Sequence, residues 1–265
     1  MVRGQYTTRS HVPPNHYSSR GRFAARLNSG VRERENSMGR YLTADEVKQE
    51  HIEKLGDNLG SLFHELSNEV AWLYTKWEEY AELFGKTPAR IDLLNQSAPM
   101  FFRIVQDSLW ENVLLHVARL TDPPKSSGKS NLSIQCLFGL VNKEIQETIS
   151  QQITDAKEKT NFCRDWRNRH IAHRDLKLAM GEQVEPLKPA SRARVRQALE
   201  SIAKVLNTIS EYYMKSTIGF DLTVGPGGAE GLLYVLDDGI KADIERRKRI
   251  ESGKYLPEDL VHRAL

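Results

Sequence analysis

The sequence predicts an all-α protein, a single bundle of five to six helices behind a disordered basic amino-terminal tail. Apolar residues recur at spacings of 3 and 4 over long stretches, which is the helical period. No alternating strand pattern of useful length occurs, and segments rich in Pro, Gly and Ser separate the stripes.

The first helix is expected to start at Thr43, with Glu46 completing a Thr-x-x-Glu capping box. Its stripe runs Leu55, Leu59, Leu62, Leu66, Val70, Leu73, Trp77, Tyr80, Phe84 and stops at Gly85; Gly56 and Gly60 weaken its early turns. A second helical stretch covers about 89–121, jointed at Pro99, and ends at Asp122-Pro123-Pro124 because proline cannot continue a helix. The segment KSSGKSN at 125–131 is a loop, and a short helix follows from Ser133 to about Asn142. A long helix is expected from about 143 to 179, carrying Ile145, Ile149, Ile153, Ala156, Thr160, Cys163 and Trp166 inward. After the connector EPLKP at 185–189, Ser191 opens another helix with Val195, Leu199, Ile202, Leu206, Ile209 and Tyr213 inward. GPGG at 225–228 reads as a linker, since it lacks the ending of a phosphate-binding loop. The last helix holds Leu232, Leu236, Ile240 and Ile244, then ERRKR at 245–249, a solvated charged face. Residues 41–252 thus read as one helical domain and 253–265 as a short extension.

The net charge of +3 hides an asymmetry. Residues 1–40 hold eight arginines, no lysine and only Glu33 and Glu35, a charge of +6 that leaves −3 on the other 225 residues. The body is therefore not a general polyanion binder, and any such site must be a local cluster. The tail reads as a disordered extension, a transit peptide, an arm that adds polyanion affinity, or an upstream stretch before a true start at Met38. No run of about 18 apolar residues occurs, so no membrane span is expected. Cys136 and Cys163 read as free thiols of a reducing compartment, and the expected location is the cytoplasm.

The local cluster is RNRHIAHRD at 167–175. Residues 161–177 hold Arg164, Arg167, Arg169, Arg174 and Lys177 against Asp165 and Asp175, with His170 and His173 among them. On a regular helix, at about 100° per residue, Arg167, His170 and His173 share one side. Such residues suit RNA cleavage. Imidazole moves protons near neutral pH, and guanidinium grips phosphate oxygens and stabilises charge building on phosphorus. If a ribose 2′-hydroxyl is the nucleophile no metal is needed, and no ligand set for one stands out. Each residue also has a structural reading. Arg167 could pair with an acid on a neighbouring helix, Asp165 and Arg169 could form an i, i+4 salt bridge, and His173 could be a satisfied core histidine.

Arg167-Asn168, four residues, then His173 resembles the Arg-polar-x(4–6)-His signature of HEPN domains, which are helical and often ribonucleases. HVARLTD at 116–122, Asn131-Leu132-Ser133 and LDDGI at 236–240 make the chain similar to the abortive-infection, AbiU-like branch over roughly 43–250. The resemblance implies a homodimer whose paired Arg–His motifs face one cleft, with metal-independent chemistry and no cofactor. It places Arg167 on the phosphate, His173 as the acid–base residue, and Asn168 orienting or touching the phosphate. Arg164, Arg169, His170 and Arg174 become candidate RNA contacts, His170 being an extra histidine in the variable spacer. The expected function is an endoribonuclease acting as a toxin or antiphage effector, with RNA as substrate and an antitoxin or regulatory protein as possible partner. The alternative is a non-catalytic HEPN dimer serving as scaffold or RNA binder. Arg119 and Asp122 have no assigned role.

Overall fold

A computed structural model describes residues 42–126, 128–221 and 227–261; the tail to residue 41, and the first two residues of GPGG, lie outside the described residues. The described chain is all-α. Six helices have twelve or more residues: α1 (Ala44–Leu55), α2 (Asp57–Phe84), α4 (Pro99–Leu120), α5 (Lys143–Lys159), α8 (Arg192–Met214) and α9 (Ala229–Glu251). Shorter ones are α3 (Pro88–Ser97), α6 (Asn161–Trp166) and α7 (Leu176–Ala179). Lys125–Ser126 pairs antiparallel with Lys129–Ser130, and the short helix expected after Ser133 is a 3₁₀ turn over Ile134–Leu137.

Thr43 caps α1 as expected. Its hydroxyl accepts from the Glu46 amide at 3.2 Å, and its own amide donates to the Glu46 carboxylate at 2.8 Å. The first expected helix is two, however. Gly56 adopts φ +85, ψ 162, which ends α1 and lets α2 fold back against it. The two helices then approach so closely that a Cβ on Gly60 would sit 2.5 Å from the His51 carbonyl oxygen. Pro99 likewise separates α3 from α4.

α2 is the central element. It packs against α1, α4, α8 and α9, and its Phe63, Leu66, Val70, Leu73 and Trp77 are almost fully buried. Val113, Leu114 and Val117 of α4, Ile149 of α5, and Ile202, Leu206 and Ile209 of α8 complete the main core. Each such side chain contributes about 1.5–3 kcal/mol by leaving water. A smaller cluster of Leu83, Leu94, Phe102, Ala229 and Leu233 seats α9 on α2 and α3, with Phe102 of α4 at its edge. Glu79 of α2 accepts from the Ala229 amide at 2.6 Å, capping α9 with a carboxylate where the helix dipole favours one. The ERRKR face is paired locally, Arg246 and Arg247 with Asp243, Lys248 with Glu245, and Arg249 with Asp259. Cys163 is buried and free; Cys136 is free and half-buried. Among the described residues, no helix is long and apolar enough to cross a membrane.

Candidate nucleic-acid site

The helix expected over 143–179 is not continuous. α5 ends at Thr160, whose hydroxyl donates to the Ala156 carbonyl at 2.7 Å, and α6 resumes from there. At Arg167–Ile171 the chain widens into a π-turn, in which the Ala172 amide donates to the Arg167 carbonyl five residues back at 2.8 Å. Trp166 and Ile171 both pack against the core. An α-helix would set residues five apart about 140° from one another; the wider turn brings them towards one side. The helix then stops, so His173 and Arg174 lie beyond it, exposed. Regular helical angles therefore do not describe how Arg167, His170 and His173 are placed.

Arg167 is held from the end of α4. Its Nη1 donates to Asp122 Oδ2 in a short ion pair, and its Nε donates to Asn168 Oδ1 at 3.0 Å. Arg164 stands on the other side of Asp122, with Nε 3.6 Å from Oδ1, and its Nη2 donates to the Thr121 carbonyl at 3.0 Å. These contacts settle the free carbonyls at the carboxyl end of α4. Gln135 Nε2 donates to the Thr121 carbonyl at 2.8 Å, and Ser133 Oγ lies 2.6 Å from the Asp122 carbonyl. Asp122, unassigned from the sequence, is thereby fixed as the post between two guanidiniums. Arg119 points to α2 instead and pairs with Glu69 at 3.2 Å.

Next to this post is an open cavity of about 590 Å³, lined by Asp122, Pro123, Ser126, Gln135, Lys157, Arg164 and Arg167. Lys157 of α5 and Gln135 of the 3₁₀ turn were not foreseen, because nothing local marks either; they reach the cavity only through packing. The cavity carries three cations and one carboxylate, and that carboxylate is shared by two of the cations. A phosphate oxygen fits this electrostatic balance.

The other motif residues go elsewhere. His170 Nε2 lies 3.6 Å from Glu111 of α4, and its ring meets Trp166 edge-on at 5.3 Å. Arg169 is a clamp. It reaches Asp165 at 3.5 Å and Asp175 at 3.7 Å, and it donates to the Glu185 carbonyl at 2.6 Å. The Trp166 indole donates to the Lys188 carbonyl, and Asp165 accepts from the Lys188 amide, each at 2.8 Å. The 185–188 connector is thus strapped along the motif. Among the described residues the side chains of His173 and Arg174 form no hydrogen bond or ion pair. One chain therefore gathers Arg164, Arg167 and Asn168 around Asp122, holds His170 against α4, and leaves His173 outside that set. Among the described residues no three His, Cys, Asp or Glu side chains cluster as a metal site would.

Residues 56–229 match the family model described as AbiU2, of HEPN type. No curated protein and no solved structure gives a match.

Proposed function

The chain belongs to the AbiU2 family of HEPN domains, and from that premise we propose that it is a metal-independent endoribonuclease of the abortive-infection kind, active as a homodimer. The observation that carries the reading is the pair Arg164–Arg167 fixed on Asp122 beside an open cationic cavity. With Nη1 on Asp122 and Nε on Asn168, Arg167 keeps Nη2 for a phosphate oxygen. In this reading His173 takes the proton of the 2′-hydroxyl, the 2′-oxygen attacks the adjacent phosphorus, and the bond to the 5′-oxygen breaks. Arg167 stabilises the charge that builds on the phosphoryl oxygens. The leaving 5′-oxygen needs a second acid, which the facing motif of a homodimer would supply. Asp122 is occupied by guanidiniums, so the chemistry rests on cations and an imidazole.

One observation favours the runner-up, a non-catalytic RNA-binding dimer: His173 has no orienting partner among the described residues, whereas catalytic imidazoles are usually held by one. A single experiment separates the two. Purified protein is incubated with a defined RNA and with DNA of the same sequence, in EDTA. The expected result is cleavage of RNA alone, leaving 2′,3′-cyclic phosphate ends. Binding without cleavage would establish the runner-up, and cutting of DNA as readily as RNA would sink the 2′-hydroxyl mechanism.

A further inference from the structure

A second polar cluster spans α2 and the carboxyl half of α4. Trp72, 48% exposed, stands on the outer face of α2. One turn on, Lys76 places Nζ 5.6 Å from the centre of that indole, donates to Asn112 Oδ1 at 2.9 Å, and meets His116 Nδ1 at 3.3 Å. Burial, then the charges of Lys76 and Arg119, push His116 down to about 3, so it is neutral near pH 7. An ammonium has only protons to give, so Nδ1 is the acceptor and Nε2 carries the hydrogen. Nε2 lies 2.9 Å from Glu69 Oε2, though out of line for a strong hydrogen bond. Arg119, more than half exposed, pairs with the same Glu69 oxygen.

This arrangement is costly for the fold. A nearly inaccessible histidine sits where the α2–α4 contact is otherwise made by Val70, Leu73, Val113 and Val117. Its effect is to hold Lys76 in place over an exposed aromatic ring, while Glu69 alongside holds Arg119. The cluster also adjoins the motif. Asn112, which takes Lys76, follows directly on Glu111, which faces His170. Arg119 is three residues before Asp122, which holds Arg167. The carboxyl half of α4 and the residues just after it therefore supply partners to both clusters, Asn112 and Arg119 to one and Glu111 and Asp122 to the other.

We infer that Trp72, Lys76, Asn112 and Arg119 form a second contact site for single-stranded RNA, in which the indole stacks a base and the two cations meet flanking phosphates. The inference rests on the motif being an RNA site. An aromatic face among fixed cations is what a flexible polyanion of stackable bases requires. An apolar protein partner would call for an apolar surround, whereas the indole here has the Lys76 ammonium over it, Asn112 on that ammonium, and the Arg119–Glu69 pair at the far end of the cluster.

The test measures binding of a fluorescein-labelled single-stranded RNA by anisotropy across a salt series. Full-length His173→Ala protein serves as reference, so that the RNA is not cut. On that background Trp72→Ala should weaken binding about ten-fold or more, and Trp72→Phe should restore most of it. Arg119→Ala should lower the slope of log affinity against log salt by about 0.7, the share of one phosphate contact. Arg119 is exposed, so its variant keeps the test decisive if Trp72→Ala fails to fold. If Arg167→Ala weakens binding while the Trp72 and Arg119 variants match the reference, the RNA reading stands and this site is overturned. If the reference itself binds no RNA, the functional reading fails and takes this one with it. A change in assembly mass in Trp72→Ala, with RNA affinity intact, would make the surface a protein contact and overturn the inference.

Discussion

Asp122 and Arg167, 45 residues apart in sequence, form a partly buried carboxylate–guanidinium pair that ties the motif to the end of α4. Asp122→Asn keeps the shape and removes the charge. Stability in urea should fall by about 1.5–3 kcal/mol, the range for losing a charged hydrogen bond. RNA cleavage should fall about 10²-fold, as it does when a catalytic donor is slightly misplaced, with kcat bearing most of the loss. Unchanged kcat would show that Asp122 does not position Arg167 for chemistry.

The two histidines should separate cleanly. His173→Ala should cut cleavage by roughly 10²–10⁴-fold, the range for loss of a general acid–base group. His170→Ala should cost less than about ten-fold, since its ring is engaged by Glu111 and Trp166 and acts at most as a contact. Initial rates on one RNA, with circular dichroism to confirm folding, decide it. Equal losses would mean the roles are shared or reversed.

Acid should loosen the fold through its buried histidines. Burial, and then His64, push His51 from its ordinary 6.5 down to about 4; burial lowers His64 as well, and His116 falls to about 3. Below pH 6.5 the unfolded chain takes up protons that the folded chain refuses. The stability these groups allow is therefore complete above 6.5 and is lost as pH falls towards 4. His51 and His116 each add a slope of about 1.4 kcal/mol per pH unit within that window. Urea midpoints from pH 7 to 4.5 should show the decline, and His51→Leu should flatten it. An unaltered pH profile in that variant would contradict the assignment.

Gly60 should be intolerant of a side chain. A methyl there meets the His51 carbonyl oxygen at 2.5 Å and the Ile52 Cα at 2.6 Å, both backbone atoms that cannot step aside. Gly60→Ala should cost about 1–3 kcal/mol by forcing α1 off α2, despite alanine's higher helix propensity. Thermal unfolding measures it; a gain in Tm would show that α1 is free to shift.

The sequence by itself determined the helices and the inward side of most of them. Leu66, Val70, Leu73 and Trp77, or Val195, Leu199, Ile202 and Leu206, are spaced by the helical period, and that period is local information. It also marked Arg167, Asn168 and His173 as residues of interest, through a pattern that needs no coordinates. Tertiary structure alone decided what surrounds them. Asp122, Lys157, Gln135 and Glu111 come from three other elements, and an ion pair across 45 residues leaves no periodic trace in the chain. The π-turn at Arg167–Ile171 was equally hidden. Five-residue spacing between Trp166 and Ile171 reads as a lapse in a helical stripe, and becomes a widened turn only because both side chains gain by packing on the same core. The same holds for Gly56, whose positive φ follows from α2 needing α1 against its flank. Local spacing sets which way a side chain faces along its own helix; which helix answers it is set by the burial of the whole chain at once.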